Sequence, residues 1–331
     1  MILIFDGNNT FFRNFAANPT SDVNGVPTGG IIGTIKSVKW LLRETKATRV
    51  FVVWDAPGGS KKRRAILEEY KAGRKPRMNR EVDETLKESS NNLMWQFEKT
   101  KTLLENLGVT QIEVQDIEAD DAIGYLVGLL DPQQKCVVSS DRDMWQLVSP
   151  TTTVYWPTKK VYLTPGNFQE QTQFLPENYV LARAIAMGDS SDNVKAIKGL
   201  GEKTLLKIFP FLAKEASFFS DLVHYMRTRL ELQDKGDLKL SASEKRWFPV
   251  ILENEELVKR NIQLMQLTSP IIGAAAAHII RTAALESKPK FQLTSFKLSL
   301  INSGIQLSDV DLFTTFQEYR VRAQNEEANA H

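Results

Sequence analysis

The chain has 331 residues, 42% hydrophobic and 25% charged, which is enough to bury a sizeable core and suggests a main α/β unit with a second helical part. Its formal net charge of +2 selects no class of partner, and the single Cys136 excludes an intramolecular disulfide and any cysteine-rich zinc site. The longest uncharged apolar run, Pro270 to Ile280, is too short and too alanine-rich to span a bilayer, and no basic-then-apolar leader precedes the first strand-like run. A soluble cytoplasmic protein without membrane contact is therefore expected.

Met1 to Phe5 is a short aliphatic run ending in Asp6-Gly7-Asn8-Asn9, which predicts a buried strand followed by a turn. Ile31, Ile35, Val38 and Leu42 recur at helical spacing, so Gly30 to Glu44 is predicted as an amphipathic helix, and Val50 to Trp54 as a second buried strand closed by Asp55. Strand, helix, strand at this spacing favours a parallel sheet. Val82, Leu86, Leu93, Phe97, Leu104 and Leu107 predict a further helix stopped by Gly108. Then come a strand at Ile112 to Val114, a helix at Ala119 to Leu130, a strand at Lys135 to Ser139 and a short helix from Met144 to Leu147. Thr153 to Trp156 and Val161 to Leu163 read either as a hairpin or as the remaining strands of the sheet. Beyond Pro165 the pattern turns helical, at Tyr179 to Met187, Lys203 to Phe209, Ala216 to Leu230, Ser243 to Leu252 and Ile271 to Leu285, and Asn325 to His331 reads as a polar, disordered tail.

Charge is distributed less evenly than the net value suggests. From Lys61 to Arg80 run Lys61, Lys62, Arg63, Arg64, Lys71, Arg74, Lys75, Arg77 and Arg80 against Glu68 and Glu69, with Tyr70 among them. A solvated face is the ordinary explanation of such a run; an aromatic set among cations is also a feature of nucleic-acid-binding segments. Acids, by contrast, recur at the ends of apolar segments: Asp6, Asp55, the Glu118-Ala119-Asp120-Asp121 cluster, Asp141 with Asp143, and Asp189 with Asp192. A helix cap explains any one of them. Because ligands gather at the carboxyl ends of strands in open parallel sheets, the strand-end acids are expected to converge.

Two carboxylates about 4 Å apart repel by roughly 4 kcal/mol at an effective dielectric of about 20, so a gathered set calls for a cation. An all-oxygen site selects hard divalent ions, Mg²⁺ with Mn²⁺ as a substitute, and two such ions support phosphodiester hydrolysis. Other chemistries lack their marks. His224 and His278 fall in predicted helices, His331 is the last residue, and no Gly-x-Ser-x-Gly elbow, Walker A loop or Gly-x-Gly-x-x-Gly fingerprint occurs. Gly199, Gly201, Lys203 and Thr204 form a glycine turn opening a helix, which reads as a phosphate-binding corner or as an ordinary helix-turn-helix bend.

These residues together resemble the 5′ nuclease superfamily of flap endonucleases and 5′ to 3′ exonucleases, in particular its stand-alone phage members of the ribonuclease H or flap-endonuclease type. The resemblance covers roughly Ile2 to Phe209 and rests on an ordered set: Phe5-Asp6-Gly7-Asn8, Val53-Trp54-Asp55, Glu69-Tyr70-Lys71-Ala72-Gly73-Arg74, Glu118-Ala119-Asp120-Asp121, Ser139-Ser140-Asp141-Arg142-Asp143, Gly188-Asp189-Ser190-Ser191-Asp192-Asn193 and Gly199-Leu200-Gly201-Glu202-Lys203. It implies a PIN-like α/β fold with a mainly parallel sheet flanked by helices. Residues 1–187 would be the catalytic unit, with a basic helical arch at about 57–95. Residues 188–324 would be a helical DNA-binding part with a helix-two-turn-helix at about 188–212, followed by the tail 325–331.

The resemblance also implies roles. Asp6, Asp55, Glu118, Asp120 and Asp121 would form a first metal group and Asp141, Asp143, Asp189 and Asp192 a second, with Asp120 between them. Lys71 and Arg74 would meet the scissile phosphate and Tyr70 would stack on a terminal base. Lys61, Lys62, Arg63, Arg64 and Arg77 would line the path of the strand. Gly199, Gly201, Lys203 and Thr204 would grip duplex phosphates, where a K⁺ ion can sit on backbone carbonyls. The implied activity is Mg²⁺-dependent cleavage at 5′ ends and flaps of branched DNA, and of RNA/DNA hybrid ends, by a monomer in a bacterial or phage-infected cytoplasm, with a replication protein or polymerase acting in trans. A catalytically silent junction binder and a PIN-type ribonuclease are the competing readings. The full set of acids argues against the first, and the basic segment with the glycine turn against the second.

Overall fold

The computed structural model describes residues 1–73, 89–270, 272–307 and 310–329. Its elements in chain order begin with β1 (Ile2–Asp6), α1 (Gly7–Ala17), α2 (Gly29–Thr45), β2 (Arg49–Trp54), α3 (Lys61–Ile66), α4 (Ser89–Asn106), β3 (Thr110–Glu113), α5 (Ala119–Leu129) and β4 (Lys135–Val138). A 3₁₀ turn at Arg142–Leu147 leads to β5 (Thr152–Trp156), β6 (Val161–Leu163), α6 (Pro165–Thr172) and α7 (Pro176–Ala182), which a π-helical turn, Arg183–Met187, extends. Then follow α8 (Glu202–Ile208), α9 (Phe219–Asp234), α10 (Ala242–Glu253), α11 (Glu255–Met265), α12 (Ala274–Arg281), α13 (Leu293–Asn302) and α14 (Val310–Asn329). Among the described residues no helix is long and apolar enough to cross a membrane.

The strands form a six-stranded sheet in the order β3-β2-β1-β4-β5-β6, parallel throughout except for β6. Both alternatives for the last two strands are met: β5 joins the parallel sheet beside β4, and β6 returns against it as an antiparallel hairpin partner. Alternation along each strand feeds two cores. Leu3, Phe5, Val50, Val52, Trp54, Cys136 and Val138 face α1, α2, α4, α13 and α14, whereas Ile2, Ile4, Phe51, Val53, Ile112 and Val137 face α5 and α12. Burial on both faces explains why the strands read as continuous apolar runs.

Four expectations are corrected. The turn expected at Asp6 to Asn9 is the first turn of α1, because Asp6 accepts a hydrogen bond from Asn9 N at 2.9 Å and caps the helix. Gly7 makes the tight junction workable, since a Cβ there would stand 2.5 Å from the Trp54 ring. The boundary expected at 187 falls inside a third core, in which Phe174, Leu181 and Ile185 pack with Leu205, Phe209, Leu222 and Phe248. The helical part expected to run to residue 324 is divided, because α12, α13 and α14 return to cover the two sheet faces. Of the tail expected to be disordered, residues 325–329 continue α14, which Leu312, Phe316, Tyr319 and Ala323 anchor at helical spacing against the sheet further upstream. Positions 74–88, which carry much of the expected arch, lie outside the described residues.

Candidate metal and phosphodiester site

The sheet order changes direction between β1 and β4, and the crevice at their carboxyl ends is where open parallel sheets bind ligands. Asp6 closes β1 here, with its carboxylate accepting from Asn9 N and from Ser139 Oγ just beyond β4, both at 2.9 Å. From the end of β2, Asp55 reaches across and accepts the first free amide of α5, Ala119 N, at 2.8 Å. Asp141 caps the 3₁₀ turn through Asp143 N at 2.9 Å. Asp189 sits in a closed loop, bridged to Val194 through both backbones, and accepts from Ser191 N and Arg183 NH2 at 2.8 and 2.7 Å.

Glu118 occupies the N-cap position of α5 yet makes no capping hydrogen bond. Its carboxylate is taken instead by three side chains from the basic segment, Arg63, Tyr70 at 3.1 Å and Lys71 at 3.0 Å. Simple helix capping therefore does not account for this cluster. Asp121 is gripped by the fork of Arg63 at 2.7 and 2.8 Å. The Lys71 ammonium also stands 3.9 Å from Asp192, so it lies between the first group of acids and the second. Although burial opposes its charge, the surrounding Asp120, Glu118 and Asp192 hold it firmly protonated.

Three carboxylates are less well served. Burial pushes Asp6 up to about 7, against the Asn9 hydrogen bond, with Asp55 and Asp141 adding repulsion. Burial drives Asp120 well above the ordinary carboxylate value; Lys71 pulls it down while Asp141, Asp6 and Asp55 push it up. Asp143 rises to about 8 through burial and then the charge of Asp141, which Arg183 only partly offsets. Arg183 NH1 lies 3.0 Å from Asp143 Oδ1 without hydrogen-bonding alignment, leaving that buried oxygen unsatisfied. A set of oxygen donors under mutual repulsion, one of them a buried oxygen that is ion-paired but not hydrogen-bonded, fits hard divalent cations. Among the described residues, however, no three acids are already drawn together tightly enough to close on one ion.

Two residues expected to meet the nucleic acid are buried in the structure. Arg63, expected along the strand path, is 7% exposed and spends its guanidinium on Glu118, Asp121 and the Leu264 carbonyl. Tyr70, expected to stack on a base, is 3% exposed, with its ring packed among Val194, Leu264 and Met265 and no face free. Lys61, Lys62 and Arg64 are exposed, and Lys61 pairs with Asp116 at 2.7 Å. Gly199, Gly201 and Lys203 are exposed and Thr204 half-buried, at the turn into α8; Arg74 and Arg77 lie outside the described residues. Sequence reasoning missed Arg183, which links Asp143 and Asp189, and Ser139, which holds Asp6. Ser139 stood within a recognised motif, but nothing local distinguishes Arg183 from any helical arginine.

The family model for the 5′-3′ exonuclease N-terminal, resolvase-like domain matches residues 1–173. A 5′-3′ exonuclease of Bacillus subtilis (strain 168) is 34% identical over 218 residues, 62% of this chain and 69% of that protein. The thermostable DNA polymerase I of Thermus thermophilus is 34% identical over 210 residues, and there the match spans only 23% of the polymerase and 62% of this chain. Among solved structures, a bacteriophage T5 flap endonuclease in complex with DNA and metal ions superposes with a TM-score of 0.61 at 20% identity, covering 92% of this chain and 99% of that one. At that identity the likeness speaks for the fold. With the motifs in order, the acids at the strand ends and more than half of its length matched, the chain belongs to the 5′-3′ exonuclease family.

Proposed function

We propose that this protein is a divalent-metal-dependent 5′ nuclease that hydrolyses phosphodiesters at the 5′ ends and flaps of branched DNA. The observation that carries the reading is the placement of Lys71 between two groups of carboxylates, Asp6, Glu118, Asp143 and Asp192 among them buried, at the sheet's switch point. Asp6, Asp55, Asp120 and Asp141 would hold one ion and Asp143, Asp189 and Asp192 the other; Glu118 and Asp121, already paired with Arg63 and Glu118 with Lys71 as well, would act mainly by orienting those two cations. Divalent ions held there, Mg²⁺ in this reading, would supply Lewis-acid stabilisation of the phosphoryl oxygens and a more acidic water. Lys71 would meet the scissile phosphate, and the exposed Lys61, Lys62 and Arg64 would steer the strand.

The turn at Gly199 to Lys203 would hold duplex phosphate at a distance from the cut, with K⁺ on nearby backbone carbonyls as a further part of the reading. The match to bacterial polymerase I chains supports a role beside a polymerase in removing flaps or RNA-primed ends. A monomer is sufficient for this scheme.

The test is turnover on a 5′ flap, a blunt duplex, an RNA/DNA hybrid and single-stranded RNA, each with Mg²⁺, Mn²⁺ or chelator. Metal-dependent release of the 5′ fragment from the flap is expected. Tight flap binding without turnover in any metal would identify a silent junction binder, and preferential cutting of single-stranded RNA a PIN-type ribonuclease.

A further inference from the structure

The loop that carries Asp189 and Asp192 ends at Asn193, a non-glycine residue in the left-handed region at φ 61°. Asparagine tolerates that conformation better than most residues. Its side chain does something no glycine could: the amide nitrogen donates to Glu69 O at 2.8 Å and to Ala72 O at 3.0 Å, bracketing Lys71 from both sides. Lys71 is itself left-handed, at φ 55°, and its N–H donates to Asp192 O at 3.2 Å. A lysine backbone in that region is strained and persists only where its surroundings hold it. Here the restraint comes from a neighbouring loop in space, 124 and 121 residues away along the chain.

The same contact line fixes the ammonium. Lys71 Nζ is 3.0 Å from Glu118 and 3.9 Å from Asp192, and Tyr70, the residue before it, is buried against Val194, the residue after Asn193. The base of the basic segment and the second acid loop are therefore joined by hydrogen bonds, an ion pair and side-chain packing. We infer that Asn193 is a positioning residue for cleavage: by clamping the Glu69–Ala72 turn onto the acid loop, it holds Lys71 between the two groups of acids. The inference rests on the nuclease reading for the consequence, while the clamp itself stands on the geometry.

Two variants isolate it. Asn193→Gly keeps the left-handed backbone and removes the donor; Asn193→Asp keeps the shape but turns an oxygen toward two carbonyl oxygens. In both, hydrogen exchange at the Lys71 amide should quicken by roughly tenfold or more. Single-turnover cleavage of a saturating 5′ flap should slow by about tenfold or more while flap affinity changes little, the mark of a lost positioning contact. In a Lys71→Ala background, Asn193→Gly should slow cleavage no further, because both act through one group.

Unchanged exchange at Lys71 would overturn the clamp. A rate loss that multiplies with that of Lys71→Ala, or one fully explained by lowered melting temperature, would overturn the positioning role. If the wild-type chain cleaves nothing, it is the nuclease assignment that fails; if Lys71→Ala is as fast as wild type, the role of Lys71 and with it the positioning role of Asn193 fail; in either case the exchange measurement still judges the clamp.

Discussion

Arg63 forks onto Asp121, donating from NH1 at 2.7 Å and from NH2 at 2.8 Å, while its Nε donates to Leu264 O at 2.8 Å. One guanidinium thus ties α3 to α5 and to α11, with a side chain 8% exposed. Removing one partner of such a buried pair strands the other charge. Arg63→Ala is expected to cost about 3–5 kcal/mol in stability, and Arg63→Lys to lose much of it as well because an ammonium cannot make the fork. Arg64→Ala, one residue along and exposed, should shift stability by less than about 0.5 kcal/mol and weaken DNA binding instead. Urea denaturation of the three variants decides this, and an Arg63→Ala protein as stable as wild type would refute the buried-pair account.

Asp120→Asn should abolish cleavage while leaving flap affinity intact or tighter, since it removes negative charge beside phosphates. It should also raise the melting temperature without metal, because burial penalises the Asp120 charge and, against the attraction of Lys71, Asp141, Asp6 and Asp55 repel it. The rise in melting temperature that Mg²⁺ gives the wild type by mass action should shrink in the variant. Turnover at the wild-type rate in Mg²⁺ would remove Asp120 from the site.

Lys71→Ala should lower the single-turnover rate at saturating flap by about 10²–10³-fold, the usual loss when a donor to a developing charge is removed. Affinity should change far less, because a group that acts on the transition state does not serve ground-state binding. Its ion pairs with Glu118 and Asp192 make the folding control necessary, and weakened binding at an unchanged rate would reassign Lys71 to general electrostatics.

At the glycine turn two neighbours should behave in opposite ways. Gly201 lies at φ −103° with open space where a Cβ would project, so Gly201→Val should cost less than about 1 kcal/mol as a poorer helix cap. It should nonetheless weaken binding of long duplexes by obstructing phosphate approach. Gly199 lies at φ +84°, so Gly199→Ala should lose about 1–2 kcal/mol whatever the substrate. Lys203→Ala should reduce the salt dependence of duplex binding by about one phosphate contact. Affinity against duplex length, measured beside melting temperature, separates the cases; equal loss on every substrate with lowered melting for Gly201→Val would make the turn a helix corner only.

The strands, their order along the chain and the acids at their ends were legible in the sequence by itself, because a strand buried on both faces must be a short apolar run. A carboxylate that follows such a run must also emerge at a sheet edge. Tertiary structure alone decided which charges answer one another. Arg63 and Arg64 are adjacent and chemically identical, yet one is buried against Glu118 and Asp121 and the other exposed. Tyr70 looked like a stacking platform until packing placed its ring among Val194, Leu264 and Met265. The reach of Asn193 to Glu69 was likewise hidden. Local pattern specifies an element and the side it buries, but the partner of a buried charge comes from chain tens to hundreds of residues away, and only the packing of those elements brings the two within hydrogen-bonding distance.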